Sequence, residues 1–446
     1  MSHGNEETTS YVKKHLQKSG QAANLQLNDK VKEAKAKGLD IYHFAFGQSP
    51  FSIPKCFTEN LQKYAHVHDY LPVSGTKELC KAITDFHLRF QNVEYSVDNY
   101  VVGCGSKELI FLAMMVFNGD VVLVSPGWTT YAPQVNLTGR QSFIIKTDAA
   151  TNWKLTPNLL ASFFQDNQNI DPEFLTRNKL LIFNNPGNPS GSVYSKEELE
   201  SLSDAFERYK IVVLSDEIYG QLTFAGNHQP LSKFYPLRTI TTSGFSKWSS
   251  AGGWRIGYMV IPDELKELRD AIRASGTHTF TCAPAPMQHA IATALKSHAD
   301  LDRYMNLCCF ILKNVGQYFV RELTRVGVKC TPSEAGYYIL PDFDVCRESL
   351  NKKGVFTGRE MCHMILEEKS VALLPGSDFL RDESELTVRL CFVDFDGDVP
   401  INHYLNDNVT VPTSMSVDEN AAFIEKFMPR IKEGVKRLVE FVDENK

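Results

Sequence analysis

The chain has 446 residues, 43% of them apolar and 22% charged, with a formal net charge of -6. That length is two or three average domains, often packed as one large core with a smaller partner domain, and the composition is that of a globular protein. Acidic and basic residues are interspersed, so no basic stripe tracks a nucleic-acid backbone, and no run of about 18 apolar residues marks a membrane span.

The N-terminus, MSHGNEETTSYVKKHLQKSG, is polar and mixed in charge. It lacks the apolar stretch of a secretory signal and the Arg-rich, acid-poor character of a transit peptide. Ten cysteines are scattered from Cys56 to Cys391 without CxxC pairs, which reads as reduced thiols in a cytoplasmic protein. The glycosylation sequons at Asn136 and Asn408 are then chance matches. No repeat or low-complexity segment interrupts the chain. The expected organisation is an N-terminal segment, 1–60, packing with a small domain at 321–446, and a large domain at 61–320.

In chain order, YVVGCGSKELIFLAMMVF reads as a strand ending at Val102, a glycine turn, and a helix from about Lys107. DVVLVSP, KLLIFNNP, IVVLSDE and TITTSGFS are short apolar runs typical of buried strands. Helical stretches lie between them, such as SKEELESLSDAFERYK, where Ser195 and Glu198 form a capping-box signature. This alternation predicts an α/β fold with a mostly parallel sheet covered by helices on both faces. The last third differs. EAGYYILPDF and ELTVRLCFVDFD look strand-like, and residues 359–369 and about 416–444 look helical, which suits a smaller α+β domain joined near residue 320. In the final helix Ile424, Phe427, Ile431, Val435, Leu438 and Val442 share one apolar face.

Loops at the carboxyl ends of parallel strands are where such sheets bind ligands. Lys247 follows the strand RTITTSGFS; a lysine in isolation is a surface charge, but burial or neighbouring cations convert it into a Schiff-base nucleophile. NNPGNPSG, residues 184–191, is a turn by composition. Asp216, Glu217 and Tyr219 end another strand, where a carboxylate caps a helix, pairs with a lysine or serves a ligand. Gly105, Ser106 and Lys107 open a helix whose free N–H groups form an anion site, without the spacing of a nucleotide P-loop. Arg389 sits on a strand, and a buried arginine is costly without an anion. HVHD at 66–69 reads as no metal site, and neither HExxH nor GxSxG occurs.

Together and in this order, over roughly residues 40–400, these segments resemble the pyridoxal-phosphate-dependent class I/II aminotransferases, fold type I, of the aspartate aminotransferase superfamily. GFSKWSSAGGWRIG is similar to the family's cofactor-attachment signature. The resemblance implies that Lys247, preceded by Ser246, carries pyridoxal 5'-phosphate as a Schiff base, and that Arg255 grips its phosphate with Gly105, Ser106 and Lys107. Asp216 then faces the pyridine nitrogen, Asn188 and Tyr219 the phenolic oxygen, and Trp128 stacks on the ring. Tyr70 reaches the phosphate of a neighbouring subunit, which implies a homodimer with shared sites. Arg389 clamps the substrate carboxylate, with Asn188 and the backbone around Gly47. Gly244 departs from the pattern, standing where many members carry a serine that touches the phosphate.

The implied reaction is ping-pong transfer of an amino group between an L-amino acid and a 2-oxo acid, with Lys247 as acid and base. A lyase, decarboxylase or synthase on the same fold is the nearest alternative, and a cofactor-binding homologue without turnover is the next. In dicarboxylate-specific relatives a second arginine comes from the region matching SGTHTFTCAP, residues 275–284. No arginine occurs there, although His278 does, so neutral or aromatic side chains are expected.

Overall fold

A computed structural model describes residues 10–17, 20–406 and 409–446. Residues 1–9 of the expected N-terminal segment, and Asn408 of the second sequon, lie outside the described residues.

Twelve strands are described, in chain order: β1 (Tyr42–His43), β2 (Tyr100–Gly103), β3 (Asp120–Ser125), β4 (Ser142–Lys146), β5 (Lys179–Asn184), β6 (Val212–Asp216), β7 (Thr239–Gly244), β8 (Gly257–Val260), β9 (Tyr338–Ile339), β10 (Val371–Ala372), β11 (Leu374–Pro375) and β12 (Val388–Cys391). Seven form the main sheet, in the order β2-β8-β7-β6-β5-β3-β4. Only β8 runs against its neighbours, so the sheet is mostly parallel, as the alternating pattern requires.

Side chains of successive strand residues point to opposite faces, and both faces here are covered. Leu180, Ile182, Leu214 and Ile240 pack with Leu109, Ile110 and Ala113 of helix Ser106–Val116. Leu181, Phe183 and Val213 pack on the other side with Leu199, Leu202 and Phe206 of helix Lys196–Arg208. That double coverage is why these strands are continuous apolar runs. The Ser195–Glu198 capping box forms as its spacing demands.

A smaller sheet, β11-β12-β9, carries Arg389 on its central strand. β1 pairs in parallel with β10, joining the N-terminal segment to the C-terminal third. Three details differ from the sequence pattern. The junction placed near residue 320 falls inside one continuous helix, His298–Arg325. The expected helix over 416–444 is two, Val417–Phe427 and Pro429–Asn445, because Pro429 has no N–H to continue the first and a φ suited to starting the second. EAGYYILPDF pairs as a strand only at Tyr338–Ile339.

Among the described residues, no helix is long and apolar enough to cross a membrane, and no group of His, Cys, Asp or Glu is arranged to hold a metal ion.

Candidate active site

The carboxyl ends of β2, β5, β6 and β7 converge on one cavity of about 570 Å³. Ser106, Lys107, Trp128, Asn188, Asp216, Tyr219, Ser246, Lys247, Arg255 and Arg389 all line it, together with Gly47. Asp216 is the last residue of β6 and is 3% exposed. Burial pushes its carboxyl up to about 6, against the pull of a 2.7 Å hydrogen bond from Tyr131 Oη to its Oδ2. Lys247 stands three residues past β7, where its Nζ donates to the Gly47 carbonyl at 3.3 Å. Burial, reinforced by the Arg389 guanidinium, brings its ammonium down to about 8.

At one end of the cavity the backbone approaches unusually closely. Gly105, at φ +86°, caps helix Ser106–Val116, and a Cβ there would lie 2.3 Å from Arg255 Nη2. A Cβ on Gly257 would lie 2.2 Å from the Ser106 nitrogen. Two glycines thus bring a guanidinium and a helix N-terminus together, the arrangement that favours an anion. Arg255 is held there by donating to the carbonyls of Cys104 and Gly252, at 3.0 and 2.9 Å. Lys107 Nζ lies 5.0 Å from the Trp128 ring centroid, and burial, with Arg255 adding, lowers its pKa.

At the other end Arg389 is 1% exposed. It lies between the rings of Tyr338 and Phe379, 4.9 and 4.7 Å from their centroids. Its Nη2 donates to the Ala45 carbonyl at 2.5 Å and its Nη1 to Asn188 Oδ1 at 3.4 Å, both neutral oxygens, while Nε has no partner. A buried cation held so loosely is poised to take a carboxylate. The hydroxyls of Tyr219 and Tyr338 bond at 2.8 Å, and Asn188 Nδ2 donates to Tyr219 Oη at 3.5 Å. Burial raises the Tyr219 hydroxyl well above the usual phenol range.

The family described as aminotransferase class I and II matches residues 38–396 of this chain. The chain belongs to that family. The aspartate aminotransferase of Geobacillus stearothermophilus is 28% identical to this aminotransferase over 368 residues, covering 80% of this chain and 89% of that one. The asparagine–oxo-acid transaminase of Streptococcus mutans is 27% identical over 424 residues, covering 91% and 97%. Aspartate aminotransferase from Thermus thermophilus with maleate shares the fold at a TM-score of 0.77 and 24% identity, covering 89% of this chain and 99% of that one. The aromatic aminotransferase from Pyrococcus horikoshii does so at 0.73 and 23%, covering 94% and 99%.

The protein is therefore a pyridoxal-phosphate-dependent transaminase, and the cavity of this aminotransferase fits that cofactor. The glycine cradle around Arg255 and the Ser106 nitrogen suits a phosphate, and Asp216 and Lys247 share the cavity.

Two residues singled out from the sequence stand apart from the cavity wall. Gly105 shapes it from behind as the helix cap. Tyr70 is 87% exposed and does not line the cavity of its own chain. Conversely, Tyr131, Tyr338, Leu25 and Phe46 line the cavity without having been assigned from sequence. The one available signal was the position of Tyr131, three residues after Trp128.

Proposed function

We propose that this aminotransferase acts on L-amino acids with neutral or aromatic side chains, with Lys247 as the cofactor-bearing lysine and proton carrier. The observation that supports it is the shared wall of Lys247 and Arg389, with Leu25, Phe46, Trp128 and Tyr338 around them. The cations of the wall are Lys107, Lys247, Arg255 and Arg389. Arg255, Ser106, Ser246, Lys107 and the Gly105 turn hold the phosphate in this reading. Trp128 covers the ring face, Asp216 pairs with the ring nitrogen, and Asn188 and Tyr219 serve the phenolic oxygen. Arg389, with Asn188 and the backbone around Gly47, orients the substrate carboxylate, which leaves apolar surface for the substrate side chain.

When bound, the cofactor supplies an electron-withdrawing ring that accommodates the electron pair left at the substrate Cα. The chain's own contribution is positioning and proton transfer. Lys247, with an ammonium depressed to about 8, is available near neutral pH both as a nucleophile and as a base for the Cα proton, which it then returns as an acid. Arg389 fixes the carboxylate so that this proton stays within reach. Asp216, carrying charge above about pH 6, favours a protonated ring nitrogen.

A homodimer, with Tyr70 contributed to the partner's site, and a cytoplasmic location belong to the same proposal. The exposure of Tyr70 supports the first, and ten free cysteines support the second.

A second reading is an acidic substrate held by Lys107, favoured by relatives named as aspartate aminotransferases. A panel of amino donors with 2-oxoglutarate and pyruvate as acceptors separates the two. Higher kcat/KM for phenylalanine or leucine than for aspartate supports the first reading, and the reverse order establishes the second.

A further inference from the structure

Tyr338 lines the cavity, yet none of the steps above uses it. It stands between two residues that they do use. On β9 it lies opposite Cys391 of β12, two residues along from Arg389. That register puts Tyr338 and Arg389 on one face of the small sheet, where the guanidinium carbon is 4.9 Å from the Tyr338 ring centroid. At the far end of the ring the phenol oxygen is 2.8 Å from that of Tyr219. A Cβ on Gly47 would come within 2.0 Å of the Tyr338 hydroxyl, so the glycine leaves the space that the hydroxyl fills.

Which phenol donates follows from the protons and lone pairs present. Burial raises both hydroxyls above the usual phenol range, so near neutral pH each keeps one proton and two lone pairs. Tyr219 Oη already accepts from Asn188 Nδ2 at 3.5 Å. With its proton directed to the phenolic oxygen of the cofactor, Tyr219 has only its second lone pair left for the 2.8 Å bond, and Tyr338 is the donor. Arg389 against the ring favours the same sense, because a neighbouring cation makes a phenol more acidic. Hydrogen bonds linked in such a chain strengthen one another.

We propose that Tyr338 is a positioning residue, whose hydroxyl donates to Tyr219 and thereby holds the Tyr219 proton on the cofactor's phenolic oxygen and strengthens that bond. The inference rests on the assignment of Tyr219 to the phenolic oxygen under the proposed function. A phenolic oxygen that accepts a strong bond from Tyr219 holds the neighbouring Schiff-base proton less tightly. That proton then leaves at lower pH.

The test is the pH midpoint of the colour change of the bound cofactor, read by absorbance in the holoenzyme without substrate. Tyr219→Phe should raise it by about 1–2 pH units, as expected for loss of a hydrogen bond to a charged group. Tyr338→Phe should raise it by roughly 0.3 of a unit, the fraction by which one bond reinforces the next. The Tyr338→Phe variant keeps its ring against Arg389, and Arg389, Tyr337, Cys391 and Lys247, the other titratable groups facing the pair, stay as they are. In a Tyr219→Phe background Tyr338→Phe should move nothing, because Tyr338 acts through Tyr219. A midpoint that Tyr338→Phe leaves in place or lowers, while Tyr219→Phe raises it, overturns this inference alone. An equal shift in both backgrounds also overturns it, since a merely structural role produces that. A midpoint that Tyr219→Phe does not move overturns the inference together with the assignment of Tyr219.

Discussion

Tyr131 and Asp216, 85 residues apart in sequence, are joined by a 2.7 Å hydrogen bond from the phenol to the carboxylate. The bond spans from the first residue of helix Tyr131–Leu137 to the end of β6 and opposes the effect of burial, which drives the carboxyl up to about 6. Tyr131→Phe removes a donor that stabilises the charged form, so the carboxyl stays neutral to higher pH. One hydrogen bond of about 1 kcal/mol corresponds to roughly 0.7 of a pH unit. The acid limb of the kcat/KM profile should move upward by about that much. A limb that stays in place would show that Asp216 does not set it.

Much of this site is legible in the sequence, because its residues fall at strand ends and glycine turns, and strand ends announce themselves as apolar runs followed by polar punctuation. Asp216 after IVVLS and Lys247 after TITTSGFS are of this kind. Tyr131 and Tyr338 were not legible in the same way. Each is an aromatic in an apolar neighbourhood, indistinguishable by pattern from core, and each acts through a partner more than 80 residues away, Asp216 and Tyr219. Leu25 enters the cavity from helix Ala23–Ala36, and no local periodicity foretells where a terminal helix docks. Five strands of the large sheet, β2, β3, β5, β6 and β7, followed from local pattern, but β4 and the antiparallel β8 were not read, and β9, β10 and β11 are two residues each and too short to carry a period.

Lys247 also has a consequence for stability. Its folded pKa, about 8, lies below the ordinary 10.5, so its contribution to stability is present above about pH 10.5 and is lost as pH falls through 8. At pH 7 the buried ammonium opposes folding. Lys247→Met in the cofactor-free chain should therefore raise the melting temperature at pH 7, with the gain shrinking towards pH 10.5, while amino transfer is abolished. Thermal unfolding across that range measures it. A gain independent of pH would place its origin in packing and not in charge.

Gly105 offers a test of the phosphate cradle. Its φ of +86° disfavours any side chain, and a Cβ would meet the Arg255 guanidinium at 2.3 Å. Gly105→Ala should displace Arg255 and weaken retention of pyridoxal phosphate by at least roughly tenfold, from the loss of a charge-assisted contact of about 1.5–3 kcal/mol. Equilibrium dialysis of the holoenzyme reads this directly. Unchanged retention would remove Arg255 from the proposed phosphate site.

Gly244, where many family members carry a serine, is explained by the strands on which it lies. It pairs with Gly257 across β7 and β8, and a Cβ at 244 would stand 3.0 Å from the Gly257 Cα and 3.0 Å from the Ile256 carbonyl. Both neighbours are backbone, so they cannot turn aside as a side chain can. Restoring the serine by Gly244→Ser should therefore destabilise the chain by about 1–2 kcal/mol through overpacking, and the displaced hydroxyl should not tighten the hold on the cofactor. Thermal unfolding and cofactor dialysis of the variant give both readings. Tighter retention with an unchanged melting point would show that the strands have room to spread, and that the phosphate end lacks a donor that Ser106, Ser246 and Arg255 do not supply.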